Sequence, residues 1–256
     1  MDRTIFFRKF LLYALLTLTL LISACTPAQL QNTSFVDSAG PITKPPDLQS
    51  ISLSENNKQI IRETFDSVKE LQDKLQNYSG STWVLENEDV KISLGEYVFA
   101  KKNRELIYVL NQPKELPSDA ALLQDMVTTQ LMVNYAKQSG VIVSSEEVRK
   151  AIDFQKTALD EADPNNEHDQ LIRYIMENRI RISGKTEEDF WNSDELYEAY
   201  ETSLYNSKFI QSILSDESMK GMDSYYELQE RLFNDYQKKH PIQVPDLHEL
   251  FQQADL

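Results

Sequence analysis

Cysteine, glycine, histidine and basic charge are all in short supply in this 256-residue chain, which has one cysteine, six glycines and three histidines. Each scarcity removes a class of function. A single thiol can form no internal disulfide and no multi-cysteine metal site. No two glycines are adjacent, so the glycine-rich loops that cradle phosphates are missing and nucleotide binding through such a loop is excluded. No serine stands in a Gly-x-Ser-x-Gly elbow. Of His168, His240 and His248, His240 precedes Pro241 and His248 lies in a polar C-terminal tail, with surface placement as the default reading for both. The sequence therefore offers no catalytic constellation, no metal site and no cofactor.

Charge of one sign is scarce as well: 26 Lys and Arg stand against 41 Asp and Glu, a net charge of −15. Nucleic acid is excluded as a partner, because binding it needs a positive surface to release counterions. Adsorption onto anionic lipid is disfavoured for the same reason. Such a charge serves solubility, and otherwise favours basic partners.

What the chain does have begins at its N-terminus. Arg3, Arg8 and Lys9 form a basic region, and Phe10 to Ile22 is apolar apart from Tyr13, Thr17 and Thr19. Ile22-Ser23-Ala24-Cys25 then reads as a bacterial lipobox, with small residues ahead of the cysteine. The apolar run is short for a transmembrane helix, which wants about 20 residues. The expectation is a signal peptide over 1–24, cleavage before Cys25, and a diacylglycerol on the Cys25 thiol. An uncleaved anchor and an ordinary secretory signal are the alternatives. Two acyl chains anchor a protein stably where one does not, so the mature protein is expected on the extracytoplasmic side of a bacterial cell membrane. Removing residues 1–24 takes the 26 basic residues to 23 and the 41 acidic ones to 40, a mature net charge of about 17 negative.

Residues 25–53 are polar and turn-rich, with Pro27, Gly40-Pro41 and Pro45-Pro46. They read as a flexible tether spanning roughly 30 Å by random-coil scaling. An amphipathic helix is expected within 54–80, carrying Ile60, Ile61, Phe65, Val68, Leu71, Leu75 and Tyr78, with Tyr78-Ser79-Gly80 as its end. A helical domain follows over 81–244, with a C-terminal tail over 245–256.

Within that domain, Trp83-Val84-Leu85 and Val90 to Leu94 predict a hairpin around Glu86-Asn87-Glu88-Asp89. A helix is expected from about Glu96 to Leu110, ahead of Pro113. The next is capped by Ser118 and closed by Gly140. Ser144 and Glu147 have capping-box spacing, with Val143 and Val148 placed as a hydrophobic staple; that helix breaks at Asp163-Pro164. Another runs from about His168 to Ile182 and ends at Gly184. Thr186 and Asp189 open a long helix expected to reach Leu214, and a last helix spans about Ser224 to Lys238. Ile242-Gln243-Val244 is a short strand candidate, expected to pair beside Val90 to Leu94 and close the domain. The fold class is mainly α, a helical module with a minimal β-hairpin or short sheet joining the domain ends.

The stretch Leu122 to Ile152, LLQDMVTTQLMVNYAKQSGVIVSSEEVRKAI, resembles the N-terminal chaperone domain of the SurA and PrsA families of extracytoplasmic foldases. Leu131, Ala136, Gly140, Val141, Val143, Ser144, Glu147, Val148 and Ile152 carry the likeness. KISLGEYVF at Lys91 to Phe99 and SGKTEEDFW at Ser183 to Trp191 extend it, so that it covers roughly Asp89 to Leu214. The hairpin departs from the family, which usually shows Asn-Gly where this chain has Asn87-Glu88-Asp89. Nothing in the chain resembles the parvulin domain of the full-length foldases, so the resemblance implies chaperoning without an enzymatic activity.

Asp160, Glu161, Asp163, Asn165, Glu167, His168 and Asp169 are oxygen-rich. The calcium-loop pattern fails there, with no glycine at the sharp turn and Tyr174 where the bidentate Glu belongs, and a solvated helix-breaking loop is the reading. The aromatic helices offer the remaining candidate. Trp191, Tyr197, Tyr200, Tyr205, Phe209 and Ile213 could line a surface for apolar peptide segments, or could be bundle core. From Tyr205 to Leu214 the apolar residues occupy more than one face, which means burial on several sides or an exposed adhesive surface. The functional expectation is a membrane-anchored lipoprotein with chaperone-like, holdase binding of unfolded or newly secreted polypeptides. The alternatives are a non-catalytic adaptor for one envelope partner and, after that, a peptidyl-prolyl isomerase with a degenerate site.

Overall fold

In the computed structural model, the structure describes residues 51–76, 83–111, 116, 118–215 and 222–242. Seven helices of 16 to 22 residues, one of five residues and a two-stranded antiparallel sheet make up its regular elements among these residues. In chain order they are α1 Glu55–Gln76, β1 Trp83–Glu86, β2 Lys91–Ser93, α2 Leu94–Asn111 and α3 Asp119–Gln138, then α4 Ser145–Asp160, α5 Glu167–Ser183, α6 Glu187–Trp191, α7 Asp194–Ser215 and α8 Met222–Lys239. The mainly α class with a minimal hairpin is what the sequence predicts. The described residues divide into two compact units: those of Val133–Tyr225 form one, and those of 51–132 together with 226–242 form the other.

The unit containing the hairpin has a core of Val90, Ile92, Leu94, Tyr97 and Val98 from β2 and α2, and Leu122, Leu123 and Val127 from α3. Phe233 and Tyr236 from α8, and Ile242, complete it. Each such side chain contributes about 1.5–3 kcal/mol on burial. Helix α1 packs along α2 and buries Ile61, Phe65 and Val68, three members of its predicted stripe. Ser54 caps α1, accepting from Asn57 N–H at 3.2 Å. Ile51, which the sequence assigns to the tether, is buried.

The hairpin pairs Trp83 with Ser93, Leu85 with Ile92 and Glu86 with Lys91, with an irregularity between Trp83 and Leu85. The Asn87 carboxamide oxygen accepts from the N–H groups of Asp89 and Val90 at 3.0 and 2.9 Å. The turn is thus built by a side chain and contains no glycine. Ile242 is not in a strand: it belongs to the same buried cluster as Val90, Ile92 and Leu94, and among the described residues the sheet has two strands. The remainder of the expected strand, Gln243 and Val244, lies outside the described residues, as do Tyr78, Gly80 and residues 1–50.

In the other unit, Val148, Ile152, Met176, Phe190, Trp191, Leu196 and Tyr200 form the core, with Val143 packed against it as the predicted staple requires. The Ser144–Glu147 capping box is complete, with Ser144 N–H donating to the Glu147 carboxylate at 2.8 Å and Glu147 N–H to Ser144 Oγ at 3.3 Å. Gly140 closes α3 at φ +86°, where Val141 N–H donates to Ala136 O and Gly140 N–H to Lys137 O, the Schellman pattern. One long helix from Thr186 is not what forms. Thr186 caps only the five-residue α6, which stops at Asn192; Ser193 then starts α7, its Oγ accepting from Leu196 N–H at 3.4 Å.

Two ion pairs join α2 to α3. Lys101 meets Asp119 at 2.6 Å, and Arg104 meets Asp125 at 2.7 Å with both side chains largely shielded from solvent. Burial pushes the Asp125 carboxyl up to about 6, against the pull of the Arg104 charge and hydrogen bond. A carboxyl whose folded pKa exceeds its unfolded value of 3.8 favours the fold below 3.8, and that contribution is lost as pH rises through about 6. Wild type should therefore gain on Asp125→Asn by an order of 2–3 kcal/mol between pH 7 and pH 4. Arg104→Met should cost about 3 kcal/mol at pH 7, because without the Arg104 charge burial raises the Asp125 carboxyl further and it must take up a proton to stay buried, and less at pH 5, where that proton is already largely bound. Urea unfolding midpoints at the three pH values measure both.

Candidate functional site

The six residues proposed from sequence as a peptide-binding surface all lie in the Val133–Tyr225 unit. Trp191, Tyr200, Phe209 and Ile213 are between 2% and 6% exposed. Trp191 stacks edge-on against Phe190 at 5.5 Å, and its indole N–H points at Glu187 Oε1 at 3.4 Å. Tyr200 lies within the core, where burial raises its hydroxyl pKa and the neighbouring Arg179 charge opposes that rise. Phe209 takes the edge of Tyr135 at 5.6 Å from the last turns of α3. These four are structural core.

Tyr197 and Tyr205 are half-buried, and cations cover their rings. The Arg149 guanidinium lies 5.1 Å from the Tyr197 centroid, and Lys137 Nζ lies 4.7 Å from that of Tyr205. Lys137 also faces Glu201 at 3.7 Å. Among the six residues no contiguous bare apolar face is presented. Among the described residues of this unit the exposed large apolar side chains are Ile142, at 74%, and Leu214 on the last turn of α7.

Ile142 stands out of a short connection that is firmly held. Lys208 Nζ, reaching from α7, donates to Ile142 O at 2.7 Å and to Glu147 Oε1 at 2.5 Å. Those contacts and the capping bonds from Ser144 bring the exposed Glu147 carboxyl down to about 2. The connection between α3 and α4 is thus fastened at its carbonyl, its cap and its staple.

The oxygen-rich segment from Asp160 to Asp169 uses its polar groups on itself. Asp163 Oδ1 accepts from Asn165 N–H at 2.8 Å, Asp169 Oδ2 accepts from Asp163 N–H at 3.2 Å, and Asn166 caps α5 by accepting from His168 and Asp169 N–H. It is a helix-joining turn. A second polar cluster, not anticipated from sequence, lies in the other unit. Ligand-type atoms of Glu88, Asp89 and His240 are all within 4.8 Å of one another. Asp89 and His240 stand 151 residues apart, so no spacing rule could have associated them.

Cys25 lies outside the described residues. None of the described helices is long and apolar enough to cross a membrane. No protein-family model, curated protein or solved structure matches the chain.

Two outcomes separate core from surface. Tyr200→Ala and Phe209→Ala should each lower unfolding stability by about 3–5 kcal/mol, whereas Leu214→Gln should change it by no more than about 0.5 kcal/mol; chemical denaturation measures all three. Lys208→Met should let the Glu147 carboxyl titrate nearer its usual range, as read by NMR. Because the folded pKa of Glu147 is depressed, the contribution lost in Lys208→Met is present above about pH 4.5 and vanishes as pH falls through about 2. The stability gap between the two proteins should close over that window.

Proposed function

We propose that the protein is a membrane-anchored extracytoplasmic lipoprotein that binds unfolded or newly secreted polypeptides in a chaperone-like, holdase manner. The observation that carries this reading is the combination, in one chain, of the Ile22-Ser23-Ala24-Cys25 lipobox with the Leu122 to Ile152 stretch resembling SurA and PrsA chaperone domains. The lipid on Cys25 holds the protein at the membrane, and the helical module meets polypeptide without bond chemistry or nucleotide.

The burial of Trp191, Tyr200, Phe209 and Ile213 constrains how such binding works. A client cannot be held in a cradle of side chains that already fill a core, so the holdase reading requires contacts on the outer surface. The same burial favours a second reading, a non-catalytic adaptor that presents a folded surface to one envelope partner. Folded partners are recognised by surface complementarity without opening of the bundle.

Suppression of aggregation of a reduced, unfolded client at stoichiometric amounts supports the holdase. No suppression, together with one stoichiometric partner in crosslinked membrane extracts, supports the adaptor. Labelled palmitate should be incorporated into wild type and not into Cys25→Ala, whose uncleaved Phe10 to Ile22 run can still hold it at the membrane. Wild type that takes up no label would remove the lipid-anchor premise from both readings.

A further inference from the structure

We propose that Glu88, Asp89 and His240 form a binding site for one divalent transition-metal ion of the Zn2+ class. Glu88 and Asp89 come from the hairpin turn, and His240 follows the C-terminal end of α8. His240 Nε2 lies 3.8 Å from Asp89 Oδ2, and one ligand-type atom from each of the three residues falls within 4.8 Å of the others. Zinc bonds of about 2.0–2.2 Å give a tetrahedral edge of about 3.4 Å, so the donors need to close by on the order of 1 Å. The two carboxylates are exposed and can make that movement by rotation. A fourth position would remain for water, as in sites with three protein ligands.

The donor set selects the metal. Magnesium and calcium take oxygen ligands, whereas an imidazole beside carboxylates suits zinc, nickel or copper. The net charge of −15 draws cations of every kind toward the surface, but only the imidazole makes this location different from the remainder of it.

The backbones that carry the donors are held in place. Val90, beside Asp89, lies in the same core cluster as Tyr236 and Ile242, which flank His240. Asn87 Nδ2 donates to the Tyr236 hydroxyl at 2.6 Å, tying the turn to α8, while Asn87 Oδ1 accepts from Asp89 N–H and Val90 N–H. His240 N–H donates to Tyr236 O at 2.8 Å, and its ring lies 5.2 Å from that of Tyr236. The turn and the helix end are therefore positioned before any ion arrives, which leaves side-chain rotation as the main rearrangement. An ion bound there joins segments 151 residues apart and stabilises the fold by binding the native state alone.

Calorimetric titration of the metal-stripped full chain in detergent with ZnCl2, and in parallel with MgCl2, tests the assignment. One equivalent of zinc should bind, with an affinity for magnesium lower by about 100-fold or more. His240→Ala, and separately the double variant Glu88→Gln/Asp89→Asn, should weaken zinc binding by at least about tenfold. The His168→Ala/His248→Ala variant should leave it unchanged. Zinc should raise the thermal midpoint of wild type and not that of His240→Ala. Because the carboxylates are exposed, their double variant keeps the test valid if His240→Ala folds poorly by circular dichroism. Absence of zinc binding, equal binding of zinc and magnesium, or binding that survives both the histidine and the carboxylate substitutions would overturn the assignment.

Discussion

Val90, Ile92 and Leu94, beside the hairpin, share one core with Phe233, Tyr236 and Ile242 from the last described segment of the same unit. Closing a loop of some 150 residues costs about 4–5 kcal/mol on the logarithmic scaling of chain entropy, and lengthening the loop further adds little. Six side chains contributing about 1.5–3 kcal/mol each outweigh that cost. The Asn87–Tyr236 hydrogen bond and the Asp89–His240 approach lie immediately beside this packing. Both depend on it: without the apolar contact, two exposed polar segments so distant in sequence have no reason to meet.

Glycine is scarce, so helix ends are managed largely by polar side chains. Ser93 with Glu96, Ser144 with Glu147 and Thr186 with Asp189 each satisfy the first free N–H groups of a helix, and Asn166 does so for α5. A cap of this kind is worth about 1 kcal/mol, enough to set where a helix begins when propensity alone leaves the boundary loose. Positive φ falls on Gly140 and Gly184 among the described residues, and both close helices. These local devices explain why α4 and α5 begin and end close to where the sequence predicts. Short-range chemistry within three or four residues is visible in a linear string.

Some of the unpredicted features require knowledge of what lies across the fold. The Ser93–Glu96 box has the Ser-x-x-Glu spacing but sits where the strand alternation of Val90 to Leu94 overlaps the start of α2. The break at Asn192 and Ser193 carries no proline or glycine; its signal is a lapse in the apolar spacing, with no apolar residue between Trp191 and Leu196 and Ser193 ahead of the acidic Asp194 and Glu195. Gln155 falls on the buried face of α4 in register with Val148 and Ile152, at 1% exposed; its polarity kept it out of the predicted stripe although its position belonged there. Ile242, the described residue of the Ile242-Gln243-Val244 strand candidate, is not in a strand and belongs to the buried core cluster. His240 and Asp89 are invisible as neighbours until the last helix is docked.

The tyrosine-rich stretch of α7 shows why a period of three to four residues cannot distinguish a core from a binding surface. Apolar burial is non-directional, so a helix packed on two sides and a helix with one side bare have the same sequence signature. Here the two sides are accounted for within one unit. Toward α4, Leu196 and Tyr200 share a core with Val148 and Ile152; toward the end of α3, Tyr205 lies under Lys137 and Phe209 meets Tyr135. Apolarity on more than one face is therefore satisfied internally. What remains outside are acidic side chains such as Glu195 and Glu198 with isolated apolar ones such as Ile142 and Leu214, and scattered apolar residues of that kind are ordinary on a folded surface. Any recognition by this unit without unfolding must come from those outer groups, so its specificity lies in their arrangement and not in the aromatic content of α7.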